Sequence, residues 1–241
     1  MEVTKKKDYT IGVIGGMGSY ATADFFKRLI DSFPAEKEWD RPRILIDNRC
    51  TMPSRVRAIL YQEGVEELVD SLCDSVSHMI DAGVSRIVLV CNTSHYFLKD
   101  ITERLPQSRD LFINIIEECA NAFRQGEKAE LIASEGTIDS GIYRSVMKEH
   151  GVDLIEPDDS KYALIRSFIE AVKQNAIDGK IMDRFTEYIE SSEADRIILG
   201  CTELPILYQE CLKHGFHTDK GIVDPLQCAI DILVAEYQDL A

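Results

Sequence analysis

Two stretches of the sequence have almost the same form: RIVLVCNT at residues 86–93 and RIILGCTE at residues 196–203. Each is a short apolar run that begins with Arg and ends in Cys followed by small polar residues. Consecutive apolar residues are typical of strands buried on both faces, as in a parallel sheet. In such sheets, ligand sites form outside the carboxyl ends of the strands. Cys91 and Cys201 both fall at such an end.

Strand and helix patterns alternate on either side of these two runs. In the first half we predict strands at 10–16, 44–47 and 86–91 and helices at 19–31 and 64–82. In the second half we predict strands at 131–134, 152–157 and 196–201, a turn at 136–141 and helices at 142–151, 161–173 and 181–191. This alternation predicts an α/β fold with mainly parallel sheets and helices on both faces.

The two halves match element by element, which favours two similar Rossmann-like α/β domains related by a pseudo-twofold axis. The tail GIVDPLQCAIDILVAEYQ, residues 221–238, reads as a short strand and an amphipathic helix that returns to the first domain. We therefore expect a discontinuous first domain, 1–110 plus 216–241, carrying Cys91. The second domain, 111–215, carries Cys201.

Composition excludes several classes of protein. The chain has 241 residues and a formal charge of −15, whereas nucleic-acid binding depends on clustered Lys and Arg. The polar start MEVTKKKDYT is unlike a signal peptide, and no apolar run approaches the roughly 18 residues that a membrane span needs. We expect a cytoplasmic protein that binds neither nucleic acid nor membrane.

The seven cysteines include no CxxC pair, and the five histidines show no metal-binding spacing. Reduced thiols are therefore expected, with buried packing as the ordinary role of each. Cys91 and Cys201 differ from the other five cysteines because each lies where a strand ends and a helix is expected to begin. A thiol at a helix N-terminus has a lowered pKa. The side chains available to cap those helices follow the two cysteines: Asn92, Thr93 and Ser94, and Thr202 and Glu203.

The glycine-rich stretch IGVIGGMGSYAT, residues 11–22, is a weak match to the dinucleotide-binding pattern, even with Asp47 taken as its acidic residue. Its glycines instead allow the backbone to approach a small ligand closely. Two cations could hold a carboxylate: Arg55, in the loop after the second strand, and Lys173, on a long helix. Both residue types are more often surface charges.

Taken in order, five motifs resemble the aspartate/glutamate racemase family, and within it the aspartate and related amino-acid racemases: IGVIGGMGSYATADFF, VLVCNTSHYF, IASEGTIDSGIY, IILGCTELP and IVDP. The resemblance implies two α/β domains facing each other across a cleft that holds the active site. It also implies a homodimer, with neither pyridoxal phosphate nor a metal. The family's catalytic cysteines match Cys91 and Cys201, and its carboxylate-binding cations match Arg55 and Lys173. The other residues matched to its substrate pocket are Met17, Gly18, Asn92, Thr93, Ser94, Thr137 and Thr202.

Inverting an α-carbon without a cofactor requires an acid/base group on each face of the substrate, which two cysteines on two lobes supply. Aspartate is the first substrate hypothesis and glutamate the second. The loop DNRCTMPSR, residues 47–55, departs from the family pattern and leaves that preference open. The alternatives are another superfamily reaction, of the maleate isomerase or malonate decarboxylase type, and a non-catalytic ligand-binding protein.

Overall fold

The first sheet consists of three parallel strands. In the computed structural model, which describes residues 5–240, they are β1 (Thr10–Gly15), β2 (Arg43–Asn48) and β3 (Arg86–Leu89), in the order β2-β1-β3. Every residue of β1 is buried, and so are the three apolar residues of β3. The apolar runs in the sequence therefore form strands covered on both faces.

The second sheet repeats this arrangement. Its strands are β4 (Lys128–Ile132), β5 (Asp153–Ile155), β6 (Arg196–Leu199) and β7 (Gly221–Val223), in the order β5-β4-β6-β7, and all neighbours are parallel. β4, β5 and β6 thus occupy the positions that β1, β2 and β3 hold in the first sheet. The two similar α/β lobes with parallel sheets are confirmed.

Eleven α-helices among the described residues cover the two sheets. They are α1 (Ser19–Ser32), α2 (Arg55–Tyr61), α3 (Val65–Asp81), α4 (Leu98–Arg104), α5 (Ile115–Asn121), α6 (Glu135–Ser140), α7 (Ile142–Glu149), α8 (Asp159–Lys173), α9 (Gly179–Ser191), α10 (Leu204–Lys213) and α11 (Pro225–Gln238). Short 3₁₀ helices lie at Lys6–Asp8, Glu38–Asp40, Thr93–Phe97 and Pro106–Leu111.

The stretch predicted as a turn at 136–141 is the short helix α6. Its N-cap is Ser134, whose hydroxyl accepts a hydrogen bond from the backbone N–H of Thr137 at 3.4 Å. Gly141 ends the helix in the left-handed region, with φ +69°. The glycines and small polar residues that suggested a turn therefore cap one helical turn between β4 and α7.

The tail divides between the two lobes. Strand β7 pairs with β6 in the second sheet, so its expected place in the first domain is wrong: β6 has a free edge that β7 completes. Helix α11 contacts the first lobe, where Glu236 accepts from Tyr9 at 2.7 Å and from Arg86 at 2.8 Å. The exact division of the chain into domains stays a prediction.

Candidate active site

A cavity of about 80 Å³ lies between the carboxyl ends of β3 and β6. Cys91 follows β3 in the first lobe and Cys201 follows β6 in the second, and both line this cavity. The full lining is Met17, Ser54, Arg55, Val56, Cys91, Asn92, Thr93, Ser134, Ile169, Lys173, Cys201, Thr202 and Glu203. The cavity is therefore built by both lobes.

Most residues singled out in the sequence line the cavity, and three lie behind its wall. Ser94 is fully buried and its hydroxyl donates to the sulfur of Met17 at 2.9 Å. Thr137 places its hydroxyl 2.8 Å from that of Thr93. Gly18 faces the carboxylate of Glu203. These three support lining side chains rather than contribute to the surface themselves.

Five lining residues have no pocket role predicted from the sequence: Ser54, Val56, Ser134, Ile169 and Glu203. Ser54 and Ser134 each precede a helix and cap it, a pattern visible in the sequence. Glu203 stands two positions after Cys201, so its place beside that thiol could have been inferred. Val56 and Ile169 carry no signal that separates them from ordinary core residues.

The helix after each cysteine begins differently from the prediction. No side-chain oxygen of Asn92 or Glu203, the two cap residues, accepts a hydrogen bond from the helix start among the described residues. Asn92 Oδ1 instead accepts from the hydroxyl of Tyr143 at 2.5 Å. The predicted capping is wrong, because these side chains contact the cavity and the opposite lobe.

The thiol of Cys201 donates to Glu203 Oε2 at 3.0 Å. Burial, and next the charge of Glu203, raises the pKa of Cys201 well above its usual value. The lowering expected from a helix N-terminus is therefore wrong for this thiol. Cys201 is therefore held in its protonated form.

The backbone of Cys91 is held by a buried histidine. Nδ1 of His95 donates to the Cys91 carbonyl at 2.9 Å. Burial lowers the pKa of His95 to about 4, so the ring is neutral at physiological pH. Cys91 itself is 7% exposed and faces the cavity. The histidine therefore fixes the turn after β3 without adding charge.

Arg55 enters the cavity held only by backbone carbonyls. Its Nη1 donates to Pro53 at 2.8 Å and its Nη2 to Met17 at 3.2 Å. No Asp or Glu oxygen of the described chain lies within ion-pair distance of it, and its buried Nε has no hydrogen-bond partner in residues 5–240. The guanidinium is positioned, yet its charge is free for an anionic ligand.

A second unpaired donor lies close by. Nδ2 of Asn92 is buried and lacks a partner within the described part of the chain. Lys173 adds a cation, with its Nζ 3.6 Å from Glu170. Burial opposes its charge, but nearby anions, Glu203 first among them, raise the pKa of Lys173 and keep it protonated. The cavity thus combines two thiols with donors suited to carboxylates.

Over residues 5–240, no group of three or more His, Cys, Asp or Glu side chains is arranged to hold a metal ion. Within the same range, no helix has both the length and the apolar character needed to cross a membrane.

Residues 14–233 match the family model described as Asp/Glu/Hydantoin racemase. The match spans most of the chain and includes both cavity cysteines. The chain therefore belongs to the Asp/Glu/hydantoin racemase family and is a racemase of that family.

Individual relatives agree with this class. The "Broad specificity amino-acid racemase RacX" of Bacillus subtilis is 29% identical over 234 residues, covering 94% of this chain and 97% of that protein. A "Glutamate racemase" of Aquifex aeolicus is 28% identical over 151 residues, 60% of this chain and 56% of its own length. The structure titled "Picrophilus torridus aspartate racemase" superposes with a TM-score of 0.78 at 22% identity, covering 95% of this chain and 94% of that one. That last similarity shows a shared fold.

Proposed function

We propose that the chain racemises a small acidic amino acid, aspartate first and glutamate second, by two-base proton transfer through Cys91 and Cys201. The observation that carries this proposal is that two thiols from different lobes line one cavity together with Arg55, a cation without an acidic partner among the described residues. A substrate with a carboxylate on each end fits this combination of charges.

The two cysteines act on opposite faces of the α-carbon. For one enantiomer, the thiolate of Cys91 removes the α-proton, the C–H bond breaks, and the electron pair stays on the carbanion. The thiol of Cys201 then delivers its proton to the other face and is left as a thiolate. For the opposite enantiomer the roles exchange. General acid and base catalysis of this kind is worth roughly 10²–10⁴-fold for each transferred proton.

The carbanionic transition state needs fixed donors at the α-carboxylate, because charge moves into that group as the proton leaves. Asn92 Nδ2 is unpaired and buried among the described residues, and Thr93, through its hydroxyl, and Thr202, through its backbone N–H, lie in the same lining. These three groups bind the α-carboxylate. Arg55 and Lys173 bind the carboxylate of the side chain.

The substrate order draws on the relatives only in part. One structural neighbour is titled an aspartate racemase, and the RacX protein is named for broad specificity. The matched glutamate racemase aligns over 56% of its length, which gives less support to glutamate. A homodimer is proposed on the family resemblance and is tested by sedimentation of the purified chain. A cytoplasmic location stays a prediction.

The test is a chiral assay of the purified chain with no added cofactor. L-aspartate, L-glutamate, L-alanine and L-lysine are incubated separately, and the D-enantiomer is measured by chiral chromatography. We expect the highest kcat/KM for aspartate. Arg55→Ala should lower kcat/KM for aspartate far more than for alanine, because alanine has no distal carboxylate. Racemisation of lysine or alanine ahead of both acids would contradict the substrate assignment, and an unchanged preference in Arg55→Ala would remove Arg55 from that role.

A further inference from the structure

Glu203 is a buried carboxylate that the proposed proton transfer does not use. The residue is 2% exposed. Its Oε2 accepts from the thiol of Cys201 at 3.0 Å and from the hydroxyl of Thr202 at 3.2 Å, whereas its Oε1 has no hydrogen-bond partner within the described chain. The charge of a buried carboxylate with so few hydrogen-bond donors is stabilised strongly by each of them.

The neighbouring charges do not neutralise Glu203 directly. Across residues 5–240, no Lys, Arg or His nitrogen lies within ion-pair distance of its oxygens. Lys173 interacts with it electrostatically over a longer distance and also interacts with Cys201, Glu170 and Cys91. From the first lobe the backbone of Gly18 comes close, since a Cβ on that residue would lie 2.3 Å from Oε1. The hydrogen bond from the Cys201 thiol is therefore the shortest contact that stabilises the negative charge of Glu203.

The two cavity thiols thus have unequal surroundings. Cys201 donates to a carboxylate, whereas the sulfur of Cys91 makes no hydrogen bond to any described residue. A thiolate on Cys201 would lie against an existing negative charge, and a thiolate on Cys91 would not. The proton that the two cysteines share is consequently more stable on Cys201.

We propose that Glu203 is a positioning residue that holds this shared proton on Cys201, so that the free enzyme rests with Cys91 as the base. The proposal builds on the proposed racemase function. One turnover moves the α-proton to Cys91 and the Cys201 proton to the product, which leaves a thiolate beside Glu203. That form is disfavoured, and it returns to the resting form when a proton leaves Cys91 for water and another reaches Cys201 from water, or when the opposite enantiomer reacts.

The position of the proton in the free enzyme affects kcat and KM but not their ratio. The equilibrium constant of a racemisation is one, so kcat/KM is the same for both enantiomers whatever Glu203 does. The preference for one resting form appears when KM and kcat are each compared between the two enantiomers. The reason is that each free form of the enzyme accepts only one enantiomer. The preference also appears at alkaline pH, where activity ends when the second thiol loses its proton.

The test uses Glu203→Gln, which keeps the size of the side chain and removes its charge. Each cysteine of the full chain is alkylated with iodoacetamide across a pH series and its modification is quantified by peptide mass spectrometry. We expect the alkylation midpoint of Cys201 to fall by about one to two pH units. The pH at which kcat declines on the alkaline side should fall by a similar amount. Glu203→Asp keeps the negative charge and should give a Cys201 midpoint between those of Glu203→Gln and the wild-type chain. Glu170→Gln removes a nearby charge that does not contact Cys201 and should leave the Cys201 midpoint unchanged.

The alkylation result does not depend on catalysis. A Cys201 midpoint that is unmoved in Glu203→Gln overturns the proposal even if the chain racemises aspartate. A midpoint that falls while the wild-type chain racemises no amino acid supports the proton placement and overturns the proposed function instead. If Glu203→Gln does not fold, the wild-type series decides: alkylation of Cys201 at the same pH as Cys91, or below it, overturns the proposal.

Discussion

At the scale of single residues, the proposed racemisation depends on two sulfur atoms that exchange protons with carbon. A serine hydroxyl is far less acidic than a thiol and cannot supply the base near neutral pH. Cys91→Ser and Cys201→Ser should therefore each lower racemisation by about 10³-fold or more. The measurement is chiral chromatography of aspartate. Cys73→Ser, on α3 and outside the cavity lining, is the matched control and should keep its rate; near-normal activity in either cavity variant would show that its thiol is dispensable.

His95 gives a pH dependence of stability with a definite sign. Burial lowers its folded pKa to about 4, against 6.5 when exposed. As the pH falls from 6.5 towards 4, the unfolded chain gains a proton that the folded chain does not, so the folded state loses stability. The loss amounts to about 3 kcal/mol at full effect.

The measurement is urea unfolding at pH 7 and pH 4.5. His95→Gln should flatten the difference between these two conditions, although it also weakens the contact with the Cys91 carbonyl. His214→Gln, an exposed histidine, is the control and should leave the slope of the wild-type chain unchanged. An equal slope in all three proteins would rule out His95 as its source.

At the scale of elements, α2 and α6 pack closely enough across the cleft to require a glycine. A Cβ at Gly136 in α6 would lie 3.0 Å from the Cα of Val56 in α2. Gly136→Ala should push the two helices apart and cost about 1–3 kcal/mol, despite the better helix propensity of Ala. Because Arg55 begins α2, the racemisation rate should fall as well.

Thermal unfolding and kcat/KM measure these two effects. Gly179→Ala is the control, since its Cβ would meet nothing within 4 Å at the start of α9. That variant should be neutral or slightly stabilised. Equal behaviour of the two variants would mean that α2 and α6 can separate without consequence.

The elements also show what the sequence could and could not predict. The strands that end at Cys91 and Cys201 were predictable, because a run buried on both faces leaves an apolar pattern. The partners of Asn92 and Thr93 were not, because Tyr143 and Thr137 are distant in the sequence and come close only when the lobes assemble. Strand β7 was placed in the wrong lobe, because a three-residue strand carries no information about which sheet edge is free.

At the scale of the whole molecule, two similar lobes present their strand ends to one cavity. Repetition of the three-strand core places one cysteine on each lobe, at corresponding strands. The overall formal charge of −15 does not indicate that the cavity contains Arg55 and Lys173, since a net charge sums all charged residues and does not show where a few cations lie. The proposed active site therefore forms only where the two lobes face each other.

In the proposed mechanism, protons reach the two faces of the substrate from two different groups. The measurement is racemisation of L-aspartate in deuterium oxide, stopped at low conversion, with both enantiomers separated and their α-hydrogen analysed by mass spectrometry. Two thiols on opposite faces predict α-deuterium in the D-aspartate formed and almost none in the L-aspartate that remains. Equal deuterium in both enantiomers would indicate a single base serving both faces and would contradict the account.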